Sequence, residues 1–93
     1  MRKTFTRQQE RIAIAALAAG HHVWRDDEPG EFGPTVDVRV GEPQNGSVIV
    51  FWCDGSVSIS TSSRNLAGHA EAAARAAQLA TELLAAASTK EAA

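Results

Sequence analysis

The stretch Val48-Ile49-Val50-Phe51-Trp52-Cys53, followed at once by Asp54-Gly55 and then by Val57-Ser58-Ile59-Ser60, constrains the fold more than any other feature of this chain. The first run is uncharged and rich in β-branched and aromatic residues, so it predicts a strand with apolar side chains on both faces. Asp-Gly between two such runs predicts a two-residue hairpin loop. That loop would set Cys53 opposite Ser56, Trp52 opposite Val57 and Val50 opposite Ile59. Directly opposed residues share a face, so Val48, Val50, Trp52, Val57 and Ile59 are expected on one side of a sheet. Thr35–Val40 alternates strictly, and pairing Val40 opposite Val48 adds Val36, Val38 and Val40 to that side. Ile49, Phe51 and Cys53 then fall on the other side, among Asp37, Arg39, Ser56, Ser58 and Ser60.

The flanking segments read as helices. Thr6-Arg7-Gln8-Gln9 fits a capping box, Gly20 suits the left-handed position after a helix, and Arg7–Ala19 between them is rich in helix formers. His21–Asp26 reads as a short strand around Val23-Trp24. Residues 27–34 form a loop by their prolines and glycines, and Gly41–Gly46 is a turn-rich connection. Ser62–Ala87 predicts a long helix opened by Ser62, Ser63 or Asn65. Glu71, Arg75, Gln78 and Glu82 would line its wet face. Leu66, Ala70, Ala73, Ala77, Ala80 and Leu84 would line its apolar stripe, widened by Leu79 and Leu83. The expected fold is α+β: a two-layer sandwich in the order α-β-β-β-β-α, with a meandering antiparallel sheet and both helices on one face. One domain spans 1–93, with its core in 6–87 and a frayed tail over 88–93.

Size limits what this domain can do. Of its hydrophobic residues 18 are alanine and only 23 are larger, so one modest core without a deep cleft is expected. Trp52 is expected to belong to that core. No apolar run approaches the ~20 residues of a membrane span. The single cysteine rules out an intrachain disulfide. Met1-Arg2-Lys3 before Ile12–Ala19 only faintly imitates a signal peptide, because Gln8, Gln9 and Glu10 interrupt it and the apolar run is short and mostly alanine. A cytoplasmic location is expected.

The net charge of −2 hides a strong segregation. Residues 1–20 carry Arg2, Lys3, Arg7 and Arg11 against Glu10. Residues 21–60 carry only Arg25 and Arg39 against Asp26, Asp27, Glu28, Glu31, Asp37, Glu42 and Asp54. The acidic middle reads either as solvated loop tips or as a surface that docks a basic partner. The basic start could contact phosphates, although no aromatic platform accompanies it.

Catalytic and metal signatures are weak. His21, His22, Cys53 and His69 form the one conceivable ligand set, yet adjacent strand residues point to opposite faces and the expected register turns Cys53 away from the helices. His69 falls near the apolar stripe of the second helix and reads as a boundary histidine rather than a base. No glycine precedes a helix in a phosphate-loop pattern. No catalytic residue, metal or cofactor is expected. If both helices cover one face, Ile49 and Phe51 remain uncovered on the other, unless the loop around Phe32 folds over them. A strand with two apolar faces is either covered on both or part of a contact surface.

Ile12-Ala13-Ile14-Ala15, then Val23-Trp24 followed by acidic residues, resembles the helix-to-strand passage of small phage-encoded anti-CRISPR proteins. This similarity covers about the first third of the chain, which departs from the strongly acidic members in being basic at its start. What the resemblance implies is a class: a stoichiometric inhibitor that binds a large protein or nucleoprotein and performs no chemistry.

The sequence therefore predicts a small non-enzymatic protein-binding module, an inhibitor from a phage or mobile element. It would block a host protein or nucleoprotein complex with a basic surface. Ile49, Phe51, Asp26, Asp27, Glu28 and Glu31 are the expected contact residues, with a homodimer through the open sheet face as a further possibility. The alternative is a nucleic-acid-binding accessory protein using Arg2, Lys3, Arg7 and Arg11.

Overall fold

The computed structural model describes residues 4–26, 33–42 and 45–89. The elements are α1 (Arg7–Ala18), β1 (His22–Asp26), β2 (Thr35–Glu42), β3 (Asn45–Trp52), β4 (Val57–Ser62) and α2 (Leu66–Thr89). The four strands form one antiparallel sheet in the order β1-β2-β3-β4, and both helices lie on the same face. This is the expected α-β-β-β-β-α sandwich. The connection between β2 and β3 is tighter than expected, because the ladder runs out to the pair Glu42–Asn45. At the other end α2 continues as far as Thr89.

Helix α1 starts and stops where the side-chain chemistry dictates. The Thr6 hydroxyl accepts from the Gln9 amide at 3.0 Å, and the Gln9 side chain accepts from the Thr6 amide at 2.9 Å. At its end Gly20 takes φ 91. The Gly20 and His21 amides turn back to the Leu17 and Ala16 carbonyls, both at 3.0 Å, which completes a Schellman motif. Helix α2 starts at Asn65, whose side-chain oxygen accepts from the Gly68 amide at 2.6 Å.

The strand pairing corrects the expected register. Phe51 lies opposite Val57 and Ile49 opposite Ile59, while Val40 pairs with Ser47 and Val38 with Ile49. The cause is the turn. The Gly55 amide donates to the Trp52 carbonyl at 3.0 Å, and the Trp52 amide donates to the Ser56 carbonyl at 2.9 Å. The loop is thus Cys53-Asp54-Gly55, three residues long, with Gly55 at φ 94. Three-residue loops of this kind end in a left-handed residue, usually glycine, that forms a bulge. One added loop residue moves the pairing by one, and a one-residue slip exchanges the faces. Strands β2 and β4 keep Val36, Val38, Val40, Val57 and Ile59 towards the helices; only β3 is inverted.

Ile49 and Phe51 are consequently core residues, 0% and 1% exposed, and not the uncovered pair of an open face. They pack with Ile12, Ala16, Val36, Val38, Val40, Ala76, Ala80, Leu83 and Ala87. The buried stripe of α2 is Ala72, Ala76, Ala80, Leu83 and Ala87, rotated from the one expected; Leu66 is 89% exposed, and Ala70 and Ala77 are exposed too. Alanine brings the backbone of α2 close to β3, and buried Ser47 uses that proximity. Its hydroxyl lies 3.2 Å from the Ala72 carbonyl and 2.9 Å from the Thr61 hydroxyl.

Candidate interaction surface

The sheet face turned away from the helices is the most distinctive surface of the molecule. The pairing lays its residues out in rows. His22, Arg39, Val48 and Ser60 form one row; Trp24, Asp37, Val50 and Ser58 the next; Asp26, Thr35, Trp52 and Ser56 the third. Both tryptophans of the chain are therefore on the face without helices. Trp24, Trp52, Val48 and Val50 are half-buried, and among the described residues no second layer covers them.

Polar contacts hold this face in shape. The Trp52 indole N–H donates to the Ser58 hydroxyl at 3.0 Å. The Trp24 ring lies 5.3 Å from the His22 ring and 5.8 Å from the Arg39 guanidinium carbon. Asp37 sits between Trp24 and Val50. Partial burial pushes its carboxyl up from the ordinary range, and the nearby charge of Asp26 pushes the same way; hydrogen bonds from Thr35 (2.9 Å) and Trp24 oppose the rise. A shallow depression beside Trp52 is lined by Asp54, Ser56 and Ser58.

The expected contact residues divide between several places. Ile49 and Phe51 are in the core. Asp26 is exposed at a corner of the open face, at the start of the acidic block. Asp27, Glu28 and Glu31 lie outside the described residues, as do Arg2, Lys3 and Phe32. Arg7 is exposed on α1 and Arg11 half-buried; both are on the helix layer, away from the two tryptophans. Trp52, expected in the core, is on the open face instead. Val48 and Val50 were missed with it because the face of β3 was decided from the turn alone, and Trp24, on β1, was assigned no face. The strict polar alternation of Thr35, Asp37 and Arg39 marked the open face of β2 correctly.

The histidines and the cysteine do not converge. Among the described residues no three His, Cys, Asp or Glu side chains group to hold a metal ion. His69 is exposed on α2, not on its apolar stripe, and Cys53 is half-buried in the β3–β4 loop. No helix among the described residues is long and apolar enough to cross a membrane. No family model matches the chain, and no curated protein or solved structure matches it.

Proposed function

We propose that this protein is a non-enzymatic protein-binding module that acts by covering a partner's surface with the open face of its sheet. The observation that carries this reading is the placement of both tryptophans, with Val48 and Val50, on the one sheet face that has no helix layer. Aromatic and aliphatic groups at the centre of such a patch are the usual source of affinity. Asp26 supplies a negative charge at its corner, and Asp27, Glu28 and Glu31, next in the sequence, add to the acidic charge that would steer a basic partner. Phosphate backbones suit this face poorly, because Asp37 is at its centre. A cytoplasmic inhibitor of a host protein or nucleoprotein, the class implied by the resemblance to anti-CRISPR proteins, would work in this way.

The test begins with a photo-crosslinking residue at position 50, used in a bacterial lysate to identify the partner. The affinity of the purified pair is then measured for Val50→Asp and Trp24→Ala. Each should weaken binding by about 1–3 kcal/mol with the fold intact. Reversing Asp27 and Glu28 should slow association at low salt and lose its effect as salt rises. Unchanged affinity in both face variants would refute the reading.

A further inference from the structure

Strand β1 is terminal in the sheet order, and among the described residues nothing pairs with its outer edge. The direction of its peptide groups follows from the β3–β4 turn. The bond from the Trp52 amide to the Ser56 carbonyl makes those two residues a hydrogen-bonded pair. Alternation along antiparallel ladders then carries across the sheet: Phe51 and Ile49 bond to Val36 and Val38, while Asp37 and Arg39 bond to Trp24 and His22. Val23 and Arg25 therefore turn their N–H and C=O groups outward.

We infer that a second copy of this chain occupies this edge, by antiparallel β1–β1 pairing centred on Trp24, giving a two-fold dimer with one continuous eight-stranded sheet. In the strand His22-Val23-Trp24-Arg25-Asp26 the two end residues are complementary about the middle one. His22 of each copy falls opposite Asp26 of the other, so an imidazole N–H meets a carboxylate at both ends of the seam. Val23 and Arg25 of opposite copies exchange four backbone hydrogen bonds. Trp24 meets its counterpart as a non-hydrogen-bonded pair, the kind in which side chains approach most closely. The opposite edge strand, β4, contains no charged residue and lacks this complementarity.

The helix layer supports the same arrangement. Ile14 and Leu17 of α1 are 66% and 59% exposed. They line an open groove of about 320 Å³ together with Phe5, Glu10, Ala13, Arg25 and Val36, on the side of α1 that overhangs β1. Arg25 is folded back over the Phe5 ring at 4.0 Å. Strands are about 4.8 Å apart, and α1 packs across both β1 and β2. Two copies paired at β1 would therefore set their α1 axes about 10 Å apart, an ordinary helix packing distance. Ile14 and Leu17 of the two copies would then close over the seam. A two-fold contact requires one patch to complement itself, and this edge does so in charge, in hydrogen-bonding direction and in its apolar ridge.

Trp24 and Asp26 belong to both the seam and the open face, so the two readings are separated at Val50, which lies on β3 away from the β1 edge. Sedimentation velocity of the full chain should show a species of twice the 9.8 kDa chain mass as concentration rises. His22→Asp, which sets two carboxylates against each other at both ends of the seam, and Asp26→Lys, which removes the acceptor that the imidazole meets and places an ammonium there, should each raise the dimer dissociation constant by about tenfold. An equimolar mixture of these two variants should associate as tightly as the unmodified protein, because His22 again meets Asp26 at one end and a lysine meets an aspartate at the other. Leu17→Asp should also weaken the dimer, and amide exchange at Val23 and Arg25 should slow with concentration. Val50→Asp should leave the dimer unchanged, which separates this test from that of the open face. A chain that stays monomeric to millimolar concentration, or a mixture no tighter than its components, would overturn the inference.

Discussion

Gln9 offers the sharpest test of how the helix layer is fastened to the sheet. Its side chain is 1% exposed. The amide nitrogen donates to the Pro34 and Phe51 carbonyls, both at 3.0 Å, and the amide oxygen accepts from the Thr6 amide at 2.9 Å. One side chain thus caps α1 and ties it to β3 and to the residue before β2. Each bond contributes about 1 kcal/mol net, and buried carbonyls left without a donor cost more. Gln9→Ala should therefore destabilise the domain by about 3 kcal/mol. For a domain of this size that corresponds to a fall in melting temperature of about 12–24 °C. Gln9→Glu sharpens the test, because a carboxylate keeps the shape but presents only acceptors to two carbonyls. Its folded-state pKa must rise above the ordinary glutamate value of about 4.3. The folded state then binds the proton more tightly than the unfolded one. The variant should be closest to wild type below about pH 4 and should lose stability as pH rises through the folded pKa. Calorimetry across pH 3.5–8 reads both effects. A loss under about 1 kcal/mol for the alanine variant, or a glutamate variant whose deficit does not change with pH, would refute the reasoning.

Two further expectations follow from the sheet. Phe51→Ala should cost about 3–5 kcal/mol in a urea melt, whereas its neighbour Trp52→Ala should cost about 1 kcal/mol; the reverse order would mean that the β3 register is wrong. Burial holds the Asp37 carboxyl above its ordinary range, so its contribution to stability is greatest below the unfolded pKa and is lost as pH rises through the folded one. Asp37→Asn should accordingly melt higher than wild type at pH 7 and lose that advantage at pH 3, and an advantage independent of pH would contradict this.

Much of the architecture is legible in local sequence because local physics specifies it. The capping box at Thr6, the left-handed glycine at position 20 and the polar alternation of Thr35, Asp37 and Arg39 each constrain the backbone within a few residues. Strand order and fold class follow from those elements and their short connections. Three matters required the tertiary structure. The face of β3 was one, because a strand apolar on both sides carries no alternation to orient it, and Asp54-Gly55 suits both a two-residue and a three-residue loop. The register came from the Trp52–Ser56 and Trp52–Gly55 hydrogen bonds, which moved Ile49 and Phe51 into the core and Trp52 onto the open face. The rotation of α2 was another, since an alanine-rich helix is apolar almost all round and only packing against β3 and β4 selects the stripe from Ala72 to Ala87. The last was the second role of Gln9: the sequence determined its place in the cap, but its reach to Pro34 and Phe51 exists only once α1 lies on the sheet, because both carbonyls are distant along the chain and are brought under the helix by the strand pairing.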